Sequence, residues 1–223
     1  TLRHYGFGII EPAVGMLACK DVGAGKLPKE ELLYNHILQE ILYEKDLAGK
    51  KVLITAGPTC EPVDPVRIYT NRSSGKMGYS LAKECSLRGA DVTLVTGKTA
   101  LEPWPFVKVV PIETAQQMFE EVTSRAPEMD IIIKAAAVAD YRPKTVADEK
   151  IKKSDGEFVL EFERTQDILK YLGEHKPDGQ FLCGFSMETE NMLENSRIKL
   201  SKKNADMIVA NNLKVQGAGF AGD

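Results

Sequence analysis

The residues with the clearest capacity for chemistry lie in the stretch 71–78, Asn-Arg-Ser-Ser-Gly-Lys-Met-Gly. It follows an apolar run at 51–56 and precedes a segment whose apolar residues recur at helical spacing. Small residues therefore crowd the predicted start of a helix, where backbone N–H groups lack partners and the helix dipole is positive. Because Ser73, Gly75 and Gly78 add little bulk, an anion could approach these groups closely. The stretch predicts a phosphate-binding turn, although the same residues could simply cap the helix and tighten the turn.

Two groups of basic residues are the second chemical feature of the sequence. One group lies around a segment of alternating apolar and polar residues and consists of Arg142, Lys144, Lys150, Lys152 and Lys153. In the other group, Lys199 and Lys203 stand four residues apart on a predicted helix, where like charges repel by roughly a few tenths of a kcal/mol. An anion bound between them would offset that repulsion, but a solvated helix face is an equally good interpretation. Together with the glycine turn, the basic groups predict two separate anion sites.

The elements that must position these residues alternate along the chain from residue 50 onward. Strands are predicted at 51–56, 91–96, 107–110, 130–135, 180–185 and 206–210, and helices at 75–87, 114–124, 167–174 and 190–203. Short Val/Ile/Leu runs separated by helices are typical of an α/β, Rossmann-like fold, a doubly wound and mostly parallel sheet covered on both faces. Alternating residues on either side of Asp155-Gly156 predict an inserted β-hairpin formed by 150–153 and 158–163.

The first 49 residues have a different character. The run up to residue 27 is punctuated by glycine and has little periodicity, which predicts a loop or flap. A broad apolar stripe across 28–43 predicts a helix. The boundary before the first strand of the main domain is predicted near residue 50.

Composition excludes several classes of function. The chain has 223 residues and a net charge of −3, which gives no global attraction for nucleic acid or anionic lipid. Cys19, Cys60, Cys85 and Cys183 form no C-x-x-C pair, which argues against a zinc site or disulfide scaffold and favours a reducing compartment. No apolar run approaches the length of a membrane span. We therefore expect a cytoplasmic protein with neither nucleic acid nor membrane as a partner.

Generic nucleotide-binding motifs fit the sequence poorly. A Walker A loop fails because Thr70 stands where its first glycine should be and Met77 follows the lysine. Lys98, rather than an acidic residue, follows the second strand, which disfavours NAD but could suit the 2′-phosphate of NADP. Tyr79 and Lys83 have the Tyr-x-x-x-Lys spacing of short-chain reductases, but they lie directly after the glycine turn, and we interpret that match as accidental. An NADP-dependent reductase and a nucleotide-binding module without its own activity remain alternatives.

Five motifs stand in order along the chain: Thr55-Ala-Gly-Pro-Thr, Glu61-Pro-Val-Asp-Pro-Val-Arg67, Asn71-Arg-Ser-Ser-Gly-Lys-Met-Gly78, Ala135-Ala-Ala-Val-Ala-Asp-Tyr-Arg142 and Glu149-Lys-Ile-Lys-Lys153. Together they resemble phosphopantothenoylcysteine synthetase, the ligase of the coenzyme A pathway. Residues 12–26 are similar to the tail of the decarboxylase that precedes this synthetase in bifunctional bacterial proteins. The resemblance implies that 1–49 is the tail, flap and linker helix of that decarboxylase and that 50–223 is a synthetase domain lacking its C-terminal end. Cys19 matches the proton-donating cysteine of the decarboxylase, whose FMN-binding portion lies outside this chain.

The resemblance implies a two-step ligation. The carboxylate of 4′-phosphopantothenate attacks the α-phosphate of CTP to give an acyl-cytidylate and pyrophosphate, and the amino group of L-cysteine then displaces CMP. Such steps need positioning and charge neutralisation, by lysines and Mg²⁺, rather than a protein nucleophile. The resemblance also implies a homodimer with sites near the subunit interface and a mobile flap that carries Lys150. No residue identifies CTP rather than ATP.

The resemblance also assigns residues to roles. Asn71 matches the asparagine associated with the acyl-cytidylate, Lys150 matches the lysine associated with CTP use, and Ser73, Gly75 and Gly78 match the turn that takes the phosphate of phosphopantothenate. The residues that match CTP contacts are Lys134, Ala135, Ala136, Asp140, Lys150, Gln166, Asp167, Ile168, Leu169, Phe185, Lys199 and Lys203. The segment at Gln166 departs from a more usual Asn-Pro-Asp. No metal ligands are predicted, although Asp140 and Asp167 could help to hold Mg²⁺.

Overall fold

A six-stranded parallel sheet forms the centre of the computed structural model, which describes residues 2–153, 157–188 and 191–212. The strands are β1 (Ala13–Met16), β2 (Val22–Lys26), β3 (Lys51–Ala56), β4 (Cys60–Pro62), β5 (Ile68–Thr70), β6 (Asp91–Thr96), β7 (Lys108–Pro111), β8 (Ile131–Lys134), β9 (Tyr141–Pro143), β10 (Phe162–Arg164), β11 (Phe181–Glu188) and β12 (Met207–Asn212). The α-helices are α1 (Glu30–Ile41), α2 (Lys76–Leu87), α3 (Ala115–Arg125), α4 (Ile168–Glu174) and α5 (Met192–Lys202).

The order of strands in the central sheet is β12-β11-β8-β3-β6-β7, and all neighbours run parallel. The predicted Rossmann-like, doubly wound sheet is therefore confirmed. From β3 the chain passes through α2 to β6 and β7, and then crosses through α3 to β8 on the opposite side of β3. The direction of winding thus reverses between β3 and β8. In open parallel sheets, ligands bind outside the carboxyl ends of the strands at such a reversal.

The two faces of the sheet are covered by different helices. Leu53 on β3 packs into a cluster with residues of α3 and α4, and the neighbouring Ile54 packs on the opposite face against α2. Both side chains are fully buried, because successive residues of a strand point to opposite faces. This double burial explains why the central strands appear in the sequence as continuous apolar runs.

The inserted antiparallel pair is present, and β10 overlaps the end of the predicted strand 158–163, but its partner is β9 and not the predicted strand 150–153. β9 pairs with β10, and Arg142 lies opposite Glu163 with 2.8 Å between Nε and Oε1. Residues 150–153 are not in a strand, and the predicted turn at Asp155-Gly156 lies outside the described residues. The prediction failed because the backbone of Ile151 bonds to another element, through its N–H to Asp64 Oδ2 at 3.1 Å.

A second short hairpin, absent from the prediction, leads into the glycine turn. β4 and β5 pair antiparallel, with Cys60 opposite Thr70. Each strand has three residues, which is too short for a period of two to be recognised. The hairpin is joined to the core by Glu61, whose buried carboxylate accepts a hydrogen bond from the Ala115 N–H at 2.9 Å.

The N-terminal region is more ordered than predicted. Residues 13–26 form an antiparallel hairpin of β1 and β2 instead of a loop, and the glycines within these strands conceal their periodicity. The predicted helix is confirmed as α1. It packs on α2 through Gln39, whose Nε2 donates to the Ser86 carbonyl at 2.7 Å and whose Oε1 accepts from Trp104 Nε1 at 2.9 Å. In the described part of the chain, no helix is long and apolar enough to cross a membrane.

Candidate functional site

Asn71 joins two loops at the point where the sheet reverses its winding. Its Nδ2 donates to the carbonyl oxygens of Val138 at 3.0 Å and of Ala137 at 3.4 Å. The Ala137 N–H donates to the Gly57 carbonyl at 2.9 Å, which ties the loop after β8 to the loop after β3. The structure thus brings the predicted glycine turn and the predicted turn after β8 to one edge of the sheet.

The glycine turn both caps α2 and leaves donors unused. Gly75 is the N-cap residue with φ +79°, a left-handed conformation that favours glycine. Its N–H donates to Ser73 Oγ at 3.3 Å, so a serine does complete the turn. The N–H groups of Met77 and Gly78, in the first turn of α2, have no acceptor within the described ranges. Capping and anion binding are therefore compatible at this turn.

Gly78 is required by packing as well as by any ligand. A Cβ added to it would lie 2.5 Å from the Ala56 Cβ and 2.9 Å from the Thr55 carbonyl oxygen. Helix α2 can therefore approach the end of β3 only with glycine at this position. This close approach brings the first turn of the helix to the carboxyl edge of the sheet.

The loop after β8 is fixed by threonine hydroxyls from three other segments. Thr55 Oγ1 accepts from the Ala136 N–H at 3.1 Å, and Thr59 Oγ1 accepts from the Ala139 N–H at 2.9 Å. Thr165 donates its hydroxyl to the Ala139 carbonyl at 2.6 Å. Ala135 and Ala136 are half-buried and Asp140 is exposed, so this loop offers small side chains and backbone to a ligand.

Lys134 lies beneath this loop, at the end of β8. It is buried, and its Nζ contacts the Met118 Sδ at 3.8 Å. Burial lowers the pKa of Lys134 to about 7, against an opposing effect of the Asp167 charge. The side chain is therefore only partly charged near neutral pH.

Asp167 is the shared partner of the other lysines. It caps α4 by accepting the Lys170 N–H at 2.9 Å, and it forms an ion pair with Lys203. Lys199 donates to the Phe185 carbonyl at 2.9 Å. Burial alone would raise the pKa of Asp167, but the bonds from Lys203 and Lys170 and the charges of Lys203 and Lys199 outweigh burial and lower the pKa. Lys203 thus pairs with the Asp167 carboxylate and Lys199 with a backbone carbonyl, so their spacing alone does not require a bound anion.

The remaining predicted CTP contacts on α4 differ in exposure. Gln166 is exposed, just before the helix. The side chains of Ile168 and Leu169 are 3% and 8% exposed and belong to the core. Only the backbone of these two residues could therefore meet a nucleotide.

Lys150 lies on a separate segment, beside the connection between β4 and β5. It is exposed and has no hydrogen bond or ion pair with any described residue. The next residue, Ile151, is bonded to Asp64 and Arg67 in that connection. Arg67 and Asn71 flank β5 and are four residues apart, at most about 13 Å for extended chain. Cys19, by contrast, is exposed in the turn between β1 and β2, on a different element from all other predicted site residues.

The structure also bears on three other hypotheses drawn from the sequence. Lys83 lies over the Trp104 ring, 4.5 Å from its centroid, while the Tyr79 hydroxyl lies 3.4 Å from Thr96 Oγ1. This packing supports the interpretation that their reductase-like spacing is accidental. In the basic group near the insertion, Arg142 and Lys144 pair with Glu163 and Glu161. No three His, Cys, Asp or Glu side chains in the described ranges are grouped to hold a metal ion.

The sequence analysis missed the residues that hold these loops in place. Thr55, Thr59 and Thr165 donate or accept the hydrogen bonds that fix the loop after β8, and Asp64 fixes the segment after Lys150. Thr55, Thr59 and Asp64 lie inside motifs that carried the family resemblance, but no role was predicted for them. Their partners are distant in sequence, so no local pattern reveals them.

The chain matches known proteins along its whole length. The coenzyme A biosynthesis bifunctional protein CoaBC of Bacillus subtilis (strain 168) is 48% identical over 228 residues, covering 100% of this chain and 55% of that protein. A cysteine/cysteine sulfinic acid decarboxylase of an unknown prokaryotic organism is 43% identical over 224 residues, covering 98% of this chain and 62% of that protein. The chain therefore spans little more than half the length of these relatives.

A solved structure and a family model agree with these relatives. The crystal structure of the C-terminal domain of coenzyme A biosynthesis bifunctional protein CoaBC has a TM-score of 0.67 and 53% identity, covering 74% of this chain and 79% of that chain. The model of the DNA/pantothenate metabolism flavoprotein C-terminal domain matches residues 47–223. By sequence and by fold, the chain belongs to the DNA/pantothenate metabolism flavoprotein C-terminal domain family.

Proposed function

We propose that the domain from residue 50 onward is a ligase of coenzyme A biosynthesis that joins 4′-phosphopantothenate to L-cysteine, using CTP and an acyl-cytidylate intermediate. The family and the 48% identical CoaBC relative support the pathway. The observation that carries the proposal is the contact of Asn71 with the loop after β8 at the reversal of the sheet. This contact places a potential phosphate turn beside a loop of small residues, as the joining of two anionic ligands requires.

In this proposal, Asn71 acts at the acyl-phosphate centre. Its Nδ2 is committed to two backbone carbonyls, and Oδ1 has no partner in the described part of the chain. A side chain held by its donor end presents the oxygen in a fixed direction, ready to accept a hydrogen bond from the attacking amine of L-cysteine. Release of one carbonyl would free the amide to donate to the developing oxyanion instead.

Lys150 and the cluster around Asp167 supply positive charge in this proposal. Lys150 has no carboxylate partner among the described residues, so its charge is available to offset that of departing pyrophosphate. Lys199 and Lys203 keep a net positive charge beside Asp167 at the edge where CTP would lie. Ser73, Gly75 and Gly78 take the phosphate of 4′-phosphopantothenate.

In this proposal, neither Mg²⁺ nor FMN is held by side chains of this domain. The described side chains provide no group of three metal ligands, and Asp167 is engaged with Lys203. Mg²⁺ would therefore arrive on the nucleotide, whose phosphates are its usual ligands, and neutralise their charge. FMN, and Cys19 as a proton donor, belong to decarboxylation by a longer protein. The predicted cytoplasmic location suits both activities.

A homodimer completes the proposal. Tyr69 and Phe162 pack edge to face at 5.0 Å, and the neighbouring Ile68, Val66 and Tyr141 are 53%, 63% and 42% exposed. This apolar surface, formed by the two short hairpins, is adjacent to the Lys150 segment. A second copy of the chain bound here would lie near the site. Analytical ultracentrifugation should show a dimer, which Tyr69→Glu weakens.

The test of the ligase is release of pyrophosphate. CTP with Mg²⁺ and 4′-phosphopantothenate should release it, and omission of 4′-phosphopantothenate should abolish release. Lys150→Ala should reduce this step by about 100-fold or more, whereas Asn71→Ala should chiefly impair formation of the cysteine product. The control is Lys144→Ala, since Lys144 is exposed and paired with Glu161.

Three results would contradict the proposal. Release of pyrophosphate without 4′-phosphopantothenate would indicate a simple nucleotidase. Saturable quenching of the protein's fluorescence in a titration with NADPH, without any binding of CTP, would favour the reductase alternative. Binding of neither ligand would favour a module without activity. Parallel calorimetric titrations with CTP and with ATP show which of the two nucleotides the protein binds more tightly.

A further inference from the structure

The segment that carries Lys150 is attached at two points to the connection between β4 and β5. At one end, the Ala147 N–H donates to the Val63 carbonyl at 3.1 Å. At the other end, the Ile151 N–H donates to Asp64 Oδ2 at 3.1 Å, and the Ile151 carbonyl accepts from Arg67 Nη1 at 3.2 Å. Lys150 itself has no described partner, so its position depends on the attachment at the next residue.

The two carboxylate oxygens of Asp64 have separate tasks. Oδ1 accepts from the N–H groups of Val66 and Arg67, both at 2.8 Å, and so closes the turn of the hairpin. Oδ2 accepts from the Ile151 N–H and pairs with the Arg67 guanidinium. Asp64 is 3% exposed, so these bonds are shielded from water. Oδ1 therefore serves the hairpin alone, whereas Oδ2 links the hairpin to the Lys150 segment.

The Asp64 carboxyl group is ionised at neutral pH. Burial alone would raise the pKa of this carboxyl, but the N–H groups of Val66, Ile151 and Arg67 and the Arg67 guanidinium lower it to about 2. The carboxylate therefore stays charged at neutral pH, so the Ile151 N–H keeps a charged acceptor. A fixed charge is what a permanent anchor needs.

We propose that Asp64 is a positioning residue, which holds the chain at Ile151 and so places Lys150 over the nucleotide. The proposal rests on the ligase function given above and extends it to a residue that touches no substrate. A lysine on an exposed segment must otherwise lose chain entropy each time it engages the departing pyrophosphate. The anchor removes part of that cost before CTP binds.

The deciding variant is Asp64→Asn. The amide oxygen can still close the hairpin turn, but the NH₂ group that replaces Oδ2 cannot accept from the Ile151 N–H. We expect trypsin to cleave after Lys150, Lys152 or Lys153 about tenfold faster than in the unaltered chain. We also expect kcat for pyrophosphate release to fall on the order of 10- to 100-fold, with KM for 4′-phosphopantothenate changed by less than about twofold.

Two further variants keep the test decisive. Ile151→Pro removes the donor of the same bond and leaves Asp64 and its hairpin intact, so it should reproduce both effects even if Asp64→Asn folds poorly. Trypsin does not cleave a Lys–Pro bond, so cleavage is compared after Lys152 and Lys153 in every variant. Asp148→Asn removes an exposed carboxylate from the same segment and should change neither measurement.

The outcomes separate this proposal from the ligase proposal. Unchanged trypsin cleavage in both Asp64→Asn and Ile151→Pro would overturn the anchor. Faster cleavage with unchanged pyrophosphate release would overturn the positioning of Lys150. If the unaltered chain released no pyrophosphate, the ligase proposal would fail and positioning with it, whereas the proteolysis would still decide whether Asp64 anchors the segment.

Discussion

The two sides of the sheet reversal are built on different principles. On the side of α2, glycines leave no room for added side chains: a Cβ on Gly75 would lie 2.8 Å from Thr99 Cγ2, and one on Gly97 would lie 1.8 Å from the Pro58 carbonyl oxygen. On the side of α4 and α5, charged side chains are concentrated, with Asp167 beside Lys203. Both sides border the same carboxyl edge. One half of the site is therefore shaped by close backbone packing and the other by electrostatics.

This difference has consequences for how each half responds to change. Close packing tolerates no added volume, but it is insensitive to pH and salt. A cluster of charges tolerates changes of volume at its exposed ends, but its energy depends on the protonation of Lys134 and Asp167. The effects of mutations on the free energy of unfolding should therefore differ between the two sides, both in size and in pH dependence.

The largest effect is expected on the packed side, for Gly78→Ala. The added methyl group would overlap Ala56 and the Thr55 carbonyl, so α2 must move away from β3. We expect the free energy of unfolding in urea to fall by about 1–3 kcal/mol. Gly8→Ala is the control, because a Cβ there has nothing within 4 Å. Equal stability of the two variants would show that the packed side is not tight.

The next effect is expected on the charged side, for Asp167→Ala. This change removes the cap of α4 and the carboxylate partner of Lys203, and should cost about 1–2 kcal/mol in urea unfolding. Asp167→Asn keeps an acceptor for the Lys170 N–H, so it should lose less than half as much. Because the pKa of Asp167 is lowered in the folded state, its contribution is present above pH 3.8 and is lost as pH falls below that value. Equal losses of stability in the two variants would contradict this prediction, because they would mean that the charge accounts for the whole effect and the cap for none of it.

A gain in the free energy of unfolding, opposite in sign to the two losses above, is expected for Lys134→Met. The unfolded chain binds a proton at Lys134 up to its ordinary pKa of 10.5, whereas the buried group releases it near pH 7. The stability of the unaltered protein should therefore rise with pH between 7 and 10. Lys134→Met should be the more stable protein at pH 7, and its advantage should narrow by on the order of 1 kcal/mol by pH 9. The exposed control Lys152→Met should keep the same dependence of unfolding free energy on pH as the unaltered protein. An equal pH dependence in Lys134→Met, measured by urea unfolding, would contradict this prediction.

The same comparison explains what could be predicted from the sequence. The central strands were predicted because burial on both faces requires continuous apolar runs such as 51–56. Helix α3 was predicted to begin at Thr114, and the structure supplies the local reason, a capping box between Thr114 and Gln117. The glycine turn was predicted because the need for space selects glycine itself, so the structural requirement is visible in the residue type.

The charged side and the insertion were less predictable because their partners are distant in the chain. Lys203 and its partner Asp167 are 36 residues apart, and Ile151 and Asp64 are 87 residues apart. A lysine has the same local pattern whether it meets a carboxylate of its own chain or a phosphate. Alternation around Asp155-Gly156 likewise did not determine which residues pair, since the register is set by contacts such as Arg142 with Glu163.

The smallest effect is expected for an exposed charge outside both halves, in Lys144→Gln. Lys144 Nζ lies 3.5 Å from Glu161 Oε2, with 61% and 75% of the two side chains exposed. Water and salt screen such a pair, so urea unfolding should change by less than about 0.5 kcal/mol. The backbone bond from the Lys144 N–H to the Glu161 carbonyl, at 2.9 Å, keeps the strand register in the variant. A larger loss, comparable with that of Asp167→Ala, would mean that charge stabilises this protein wherever it occurs. The contrast between the two sides of the site would then reflect the number of charges present and not their burial at the edge of the sheet.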